Sequence, residues 1–150
     1  MIEHFMWVFS ALLVIVTVTV HYEVMMLVSD KVIPWAQKRS HSRRVIAIAI
    51  TGLLLGHIIE IWIFAIAIWG LLQFPPLGGL QGDITDLWSD CLYLSSVNYT
   101  SLGDGNLRLI GPARAIASCE TLAGLMMIAW SASFTYLKME QIWRKRGSRK

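Results

Sequence analysis

Three stretches of the chain are apolar for longer than the about 20 residues that a helix needs to cross a bilayer's hydrocarbon core. They run from Phe5 to Val28, from Val45 to Phe74 and from Ala113 to Leu137. Ionisable residues interrupt them at only a few points: His21 and Glu23 in the first, His57 and Glu60 in the second, Glu120 in the third. Inside lipid the backbone must satisfy its own polar groups, so stretches of this kind fold as helices. The mean hydropathy of +0.56 and the 55% hydrophobic content, against 15% charged residues, agree with a membrane protein and not with a soluble domain. The opening "MIEH" carries an acid and no Lys or Arg, and no small-residue cleavage site follows the apolar run. The first stretch therefore reads as a permanent span.

Charge placement sets an expected orientation. Lys31, Lys38, Arg39, Arg43 and Arg44 crowd the first connection, and Lys138, Arg144, Lys145, Arg146, Arg149 and Lys150 crowd the tail. The segment between the second and third spans carries Asp83, Asp86, Asp90 and Asp104, with Arg108 just ahead of Arg114. Basic loops stay inside, so the N-terminus is expected outside and the C-terminus in the cytoplasm of a multi-pass protein of the cell membrane. Cys91 and Cys119 both fall in apolar surroundings and read as free thiols. On the outer side, "QFPPLGGLQGD" cannot continue a helix past Pro75 and reads as a turret-like loop. A fourth apolar stretch, Leu87 to Tyr99, is too short to span and reads as a re-entrant or interfacial helix, with Asp83, Thr85 or Asp86 as its cap. Pro112 suits the first turn of the third span.

Directly after that short helix comes a polar, glycine-punctuated loop, "NYTSLGDGNL", Asn98 to Leu107. Bare backbone at membrane depth is tolerated only where it is buried in protein or lines water. A loop whose carbonyl oxygens replace the hydration shell of a cation meets that condition. Aiming successive carbonyls at one axis requires alternate residues with left-handed backbone angles, which Gly103 and Gly105 supply at little steric cost. Ser101 offers a hydroxyl below them, and the short helix points its partly negative C-terminal end at the loop.

The succession of short helix, "TSLGDGN" and "GPARAIASCETLAG" resembles the pore module of the potassium-channel superfamily. The filter, with aspartate where that superfamily usually has tyrosine, is similar to that of bacterial non-selective sodium/potassium channels. The resemblance implies an all-α membrane protein with three transmembrane helices plus a re-entrant pore helix and filter loop per subunit. Four copies would form a homotetramer around a central pore, in a bacterial inner membrane. It divides the chain into an extra N-terminal helix (1–30), a basic cytoplasmic loop (31–44), the pore module (45–137) and a basic tail (138–150). The module comprises outer helix 45–74, turret 75–85, pore helix 86–99, filter 100–106 and inner helix 112–137.

On the same resemblance, the filter is Thr100, Ser101, Leu102, Gly103, Asp104, Gly105 and Asn106. Potassium or sodium sits at Ser101, Leu102 and Gly103, and calcium is a candidate ligand near Asp104. Tyr93, Leu94, Val97, Asn98 and Glu120 are expected to support it. Without the tyrosine ring the outer carbonyls splay, fewer ordered ion sites remain, and discrimination of potassium from sodium weakens. Four Asp104 carboxylates at about 8 Å, with an effective dielectric of about 20, repel pairwise by roughly 2 kcal/mol, which favours a cation between them.

Gly124, Ile128, Ser131 and Thr135 share a helical face and are the expected cavity lining, with Gly124 read either as a hinge or as a packing glycine. His57 and Glu60, one turn apart, read as a polar pair bonding to another span, or else as a metal or proton site. The partners of His21 stay open. The basic tail is a topology signal or a site for anionic lipid, and nucleic acid is not expected as a partner of so short a membrane-tethered tail. No cofactor and no enzymatic chemistry are expected, since no nucleophile–base set or metal motif is present. The function expected is passive, weakly selective conduction of potassium and sodium. A potassium-selective channel and a non-conducting scaffold or sensor are the alternatives.

Overall fold

The computed structural model describes residues 1–39, 42–103 and 106–147. Helix α1, Ile2–Leu27, continues through a π-helical turn, Val28–Val32, into α2, Ile33–Arg39. Helix α3, Ser42–Leu71, returns beside them; the short α4 is Leu87–Tyr99, and the long α5 is Arg114–Gly147. Three continuous helical segments, Ile2–Arg39, Arg43–Leu71 and Gly111–Arg144, are long and apolar enough to cross a membrane.

The first connection differs from the expected basic loop over 31–44, because the helix carries on to Arg39. Pro34 explains the π turn ahead of it. A proline in a helix removes one amide donor and crowds the carbonyl four residues back. Widening the preceding turn, in which the Ile33 amide bonds Val28 O, relieves that crowding without ending the helix. The inner helix likewise runs beyond 137, and the start of the basic tail is its last turns.

The turret is also more ordered than a loop. Gly79–Gly82 (β1) pairs antiparallel with Leu107–Ile110 (β2), Gly79 opposite Ile110 and Gly82 opposite Leu107. Gly82 has φ +136°, and a Cβ there would lie 1.7 Å from Asn106 O, so only glycine fits this close crossing. Leu107 and Leu109 turn inward, while Arg108 points out and donates to Gln81 Oε1 at 2.9 and 3.0 Å.

Two cores hold the helices. One gathers Met6, Phe64, Ile68, Cys91, Leu94, Tyr99, Leu107, Leu109, Ile116 and Met127 around α4 and the hairpin. The other gathers Met25, Val28, Ile33, Ala36, Val45, Ala49, Leu53 and Ile142 at the end where the basic residues lie. Helix α1 enters by small and polar residues. Ser10 and Thr17 are buried and return their hydroxyls to their own helix, Ser10 to Met6 O at 2.7 Å and Thr17 to Val14 O at 3.0 Å. On the facing helix, Gly52 and Gly56 leave room for Val28 and Val24, whose methyls would lie 2.9 and 2.8 Å from added Cβ atoms. This small-xxx-small groove is what lets two apolar helices pack closely inside lipid.

Candidate functional site

Asp86 starts α4 by accepting from the Ser89 amide at 2.9 Å. The buried Asp90 then ties the turret to the helix, its carboxylate accepting from the amides of Thr85 at 2.8 Å and Asp86 at 3.1 Å. At the other end, the carbonyls left open by the last turn of α4 are taken up by the loop that follows. Thr100 N donates to Ser96 O at 3.2 Å and Ser101 N to Asn98 O at 2.9 Å. Leu102 N and Gly103 N both donate to Val97 O, at 3.0 and 3.5 Å.

Two successive amides converging on one oxygen form a small nest, which alternating backbone hands produce. Ser101 has φ +56° and Gly103 +73°, with Leu102 between them outside the positive-φ region. The amides from Thr100 to Gly103 are thus committed to α4. The side chain of Leu102 stands free of the chain, 78% exposed. Of the expected filter positions, Asp104 and Gly105 lie outside the described residues; Thr100, Ser101, Gly103 and Asn106 are exposed.

Behind α4, the buried Glu120 of α5 accepts from the Ser95 hydroxyl and from Asn98 Nδ2 at 3.4 Å. Ser95 Oγ also lies 2.8 Å from Ile61 O, its single hydrogen shared between the two oxygens, so this hydroxyl touches α3, α4 and α5. One turn on, Gly124 sits under the end of α4. A Cβ there would lie 2.0 Å from Tyr99 O. This glycine is a close-packing position: the helix that ends in the loop rests directly on the backbone of α5.

Against this geometry stands one match: the sequence model of a family described as "Ion channel" covers residues 45–141. The chain belongs to this ion-channel family. Searches of curated proteins and of solved structures returned no match. The matched region takes in α3, the hairpin, α4, the loop and most of α5, and leaves out α1 and α2. The family assignment and the three apolar helices make this a membrane protein of channel type.

The expected cavity-lining face of this ion-channel family chain is split. Gly124 and Ser131 are buried within the chain, Thr135 is half-buried, and Ile128 is exposed. Ser131 faces two histidines, so its hydroxyl is not open to a cavity. Of the residues expected to support the filter, Leu94 and Val97 are buried and Asn98 is half-buried, whereas Tyr93 is 52% exposed. Both cysteines are free.

Among the described residues, a buried polar ring draws on His21, which sequence reading left without a partner. His21 Nδ1 meets Glu60 Oε1 at 2.8 Å, and His21 Nε2 meets Ser131 Oγ at 3.2 Å. Ser131 Oγ meets His57 Nε2 at 3.1 Å, and His57 Nδ1 meets the Tyr99 hydroxyl at 2.8 Å. The Tyr99 hydroxyl in turn bonds Glu60 Oε2. Four helices contribute, and the Trp130 ring covers His21 with centroids 5.6 Å apart. By residue type and spacing, His21, His57 and Glu60 resemble a metal set, their donor atoms lying within 4.8 Å of one another. Each of those atoms is already occupied by a hydrogen bond to a neighbour, so the set reads as a hydrogen-bonded ring. The missing signal is geometric: His21 and Glu60 belong to different spans, and helix rotation and height are not written in local spacing.

Proposed function

We propose that the protein is a passive cation channel in which four copies of the chain surround a pore, passing potassium and sodium with weak discrimination. The observation that carries this reading is the alternation of backbone hand at Ser101 and Gly103, with the intervening amides turned back onto Val97 O. Once the amides of a loop are engaged behind it, the carbonyls are the groups left for an ion. One loop cannot surround an ion, so the reading requires symmetry-related copies. The exposed Leu102, Tyr93, Leu122, Leu125 and Met126 supply apolar surface for such neighbours.

The aspartate in the filter, in place of an aromatic ring, supports weak selectivity and an outer site for calcium. The basic end of α2 (Lys38, Arg39), the basic start of α3 (Arg43, Arg44) and the basic tail support an inside location for the first connection and the C-terminus, with the N-terminus outside. The direct test is flux through the purified protein in liposomes, followed by reversal potentials in mixed sodium and potassium. A potential that shifts little on exchanging the two ions is expected; absence of any flux would overturn the reading in favour of a scaffold.

A further inference from the structure

The ring formed by Glu60, His21, Ser131, His57 and Tyr99 has five contacts, and each needs one hydrogen between its two heavy atoms. Ser131 and Tyr99 bring one each. The remaining three come from Glu60 and the two imidazoles. They are shared out either as a carboxylic acid with two neutral rings, or as a carboxylate with one imidazolium and one neutral ring. Both distributions hold the same number of protons, and both leave the ring without net charge. One proton more puts a hydrogen on both atoms of some contact and leaves a positive charge among apolar helices. One proton fewer leaves two lone pairs facing each other and a negative charge. Either is costly at this depth.

Ser131 has no local way to absorb the surplus. Its neighbour Ser133 bonds back to Ala129 O at 3.1 Å, whereas the Ser131 hydroxyl is engaged with the two histidines. The ring therefore closes at one proton count.

Its position makes that count matter. Tyr99 is the last residue of α4 and precedes the filter, and it is held twice: its hydroxyl in the ring, its carbonyl against Gly124. His21 is the contribution of α1, which lies outside the matched channel region. His21 and Glu60 are fully buried, while the His57 side chain is 13% exposed and offers the way in for a proton. The titratable groups facing one another here are His21 from α1, His57 and Glu60 from α3, and Tyr99 from α4. From α5, Glu120 faces the same helix α4 through Ser95 and Asn98.

We propose that this ring is a proton-dependent latch by which the N-terminal helix holds the foot of the filter. Closed, it fixes Tyr99; a further proton taken up at His57 opens it, loosens α1 from α3 and α4, and lowers conduction. The effect on conduction rests on the channel reading above, while the opening itself does not.

The test has two readouts on the full chain in liposomes. One is the distance between spin labels at Val16→Cys on α1 and Ile58→Cys on α3, both on exposed faces. The other is cation flux. Each is measured at about pH 8 and about pH 5, the window in which imidazoles change charge. In the parent chain, acid should lengthen the distance and lower flux by about fivefold or more. In His57→Gln, which hydrogen-bonds but cannot take a proton, both responses should vanish. A label distance that ignores pH in the parent chain, or a His57→Gln variant with an unchanged pH response, would overturn the latch. Should the variant not fold, nitrogen-15 spectra of histidine-labelled parent protein decide. Imidazole signals that do not move across this window overturn the proposal, and titration together with lengthening supports it. Lengthening without flux at any pH supports the latch and overturns the channel.

Discussion

Gly124 carries the sharpest steric consequence at the scale of single residues. Gly124→Ala would press a methyl onto the Tyr99 carbonyl, 2.0 Å away, and backbone must shift to admit it. Overpacking of this kind costs about 1–3 kcal/mol. A lower melting temperature in detergent and a displaced filter are expected, and an unchanged melting curve would count against the contact. Ser95→Ala should cost about 1–3 kcal/mol, because the buried Glu120 loses a donor; Glu120→Gln in the same background should recover part of it. Asp86 offers a pH test. Hydrogen bonds from Ser89 hold its carboxyl below the usual range. A depressed carboxyl stabilises the fold above its unfolded pKa and loses that contribution as pH falls through the folded one. Asp86→Asn should therefore flatten the acid limb of the stability profile, without the gain seen above it. Asp104→Asn should weaken calcium block of monovalent current; identical block in both proteins would remove the outer site. Gly103, Asp86 and Glu120 were legible because their chemistry constrains them locally: a glycine at a left-handed position, a cap before a helix, an acid that cannot face lipid. His21 with Glu60 was not, since the contact depends on how two spans are rotated and offset.

Among the elements, the spans were legible from length and apolarity, and so was α4, too short to cross. The hairpin was not. β1 is "GLQG", with no β-branched residue, and only its partner strand gives it a ladder. The passage from α1 to α2 was hidden by Pro34 and a run of basic residues, which read as a loop. The groove at Gly52 and Gly56 was not read from the sequence, because what seats in it depends on how α1 lies against α3. Gly56→Leu should push Val24 away and separate α1 from α3. A proteolytic site newly exposed near the end of α1, with the matched region still protected, is the expected result. Unaltered protection throughout would show that the groove does not seat the helix.

For the molecule as a whole, chemical cross-linking of the purified protein should give a ladder that stops at four subunits. A terminal band at any other number would remove the symmetry on which ion coordination depends. The distribution of exposed apolar residues supports neighbours on several sides, yet the sequence alone does not say which faces meet lipid and which meet another copy. The pairing of Gly79–Gly82 with Leu107–Ile110 has a mechanical consequence for this assembly. β1 precedes α4 and β2 follows the loop after it, so the hairpin ties together the two ends of this segment. Adding or removing one residue between Asn106 and Leu107 would exchange the inward and outward sides of the hairpin, turning Leu107 and Leu109 to water and Arg108 inward. Length, as much as chemistry, fixes which side chains this end of the molecule turns inward.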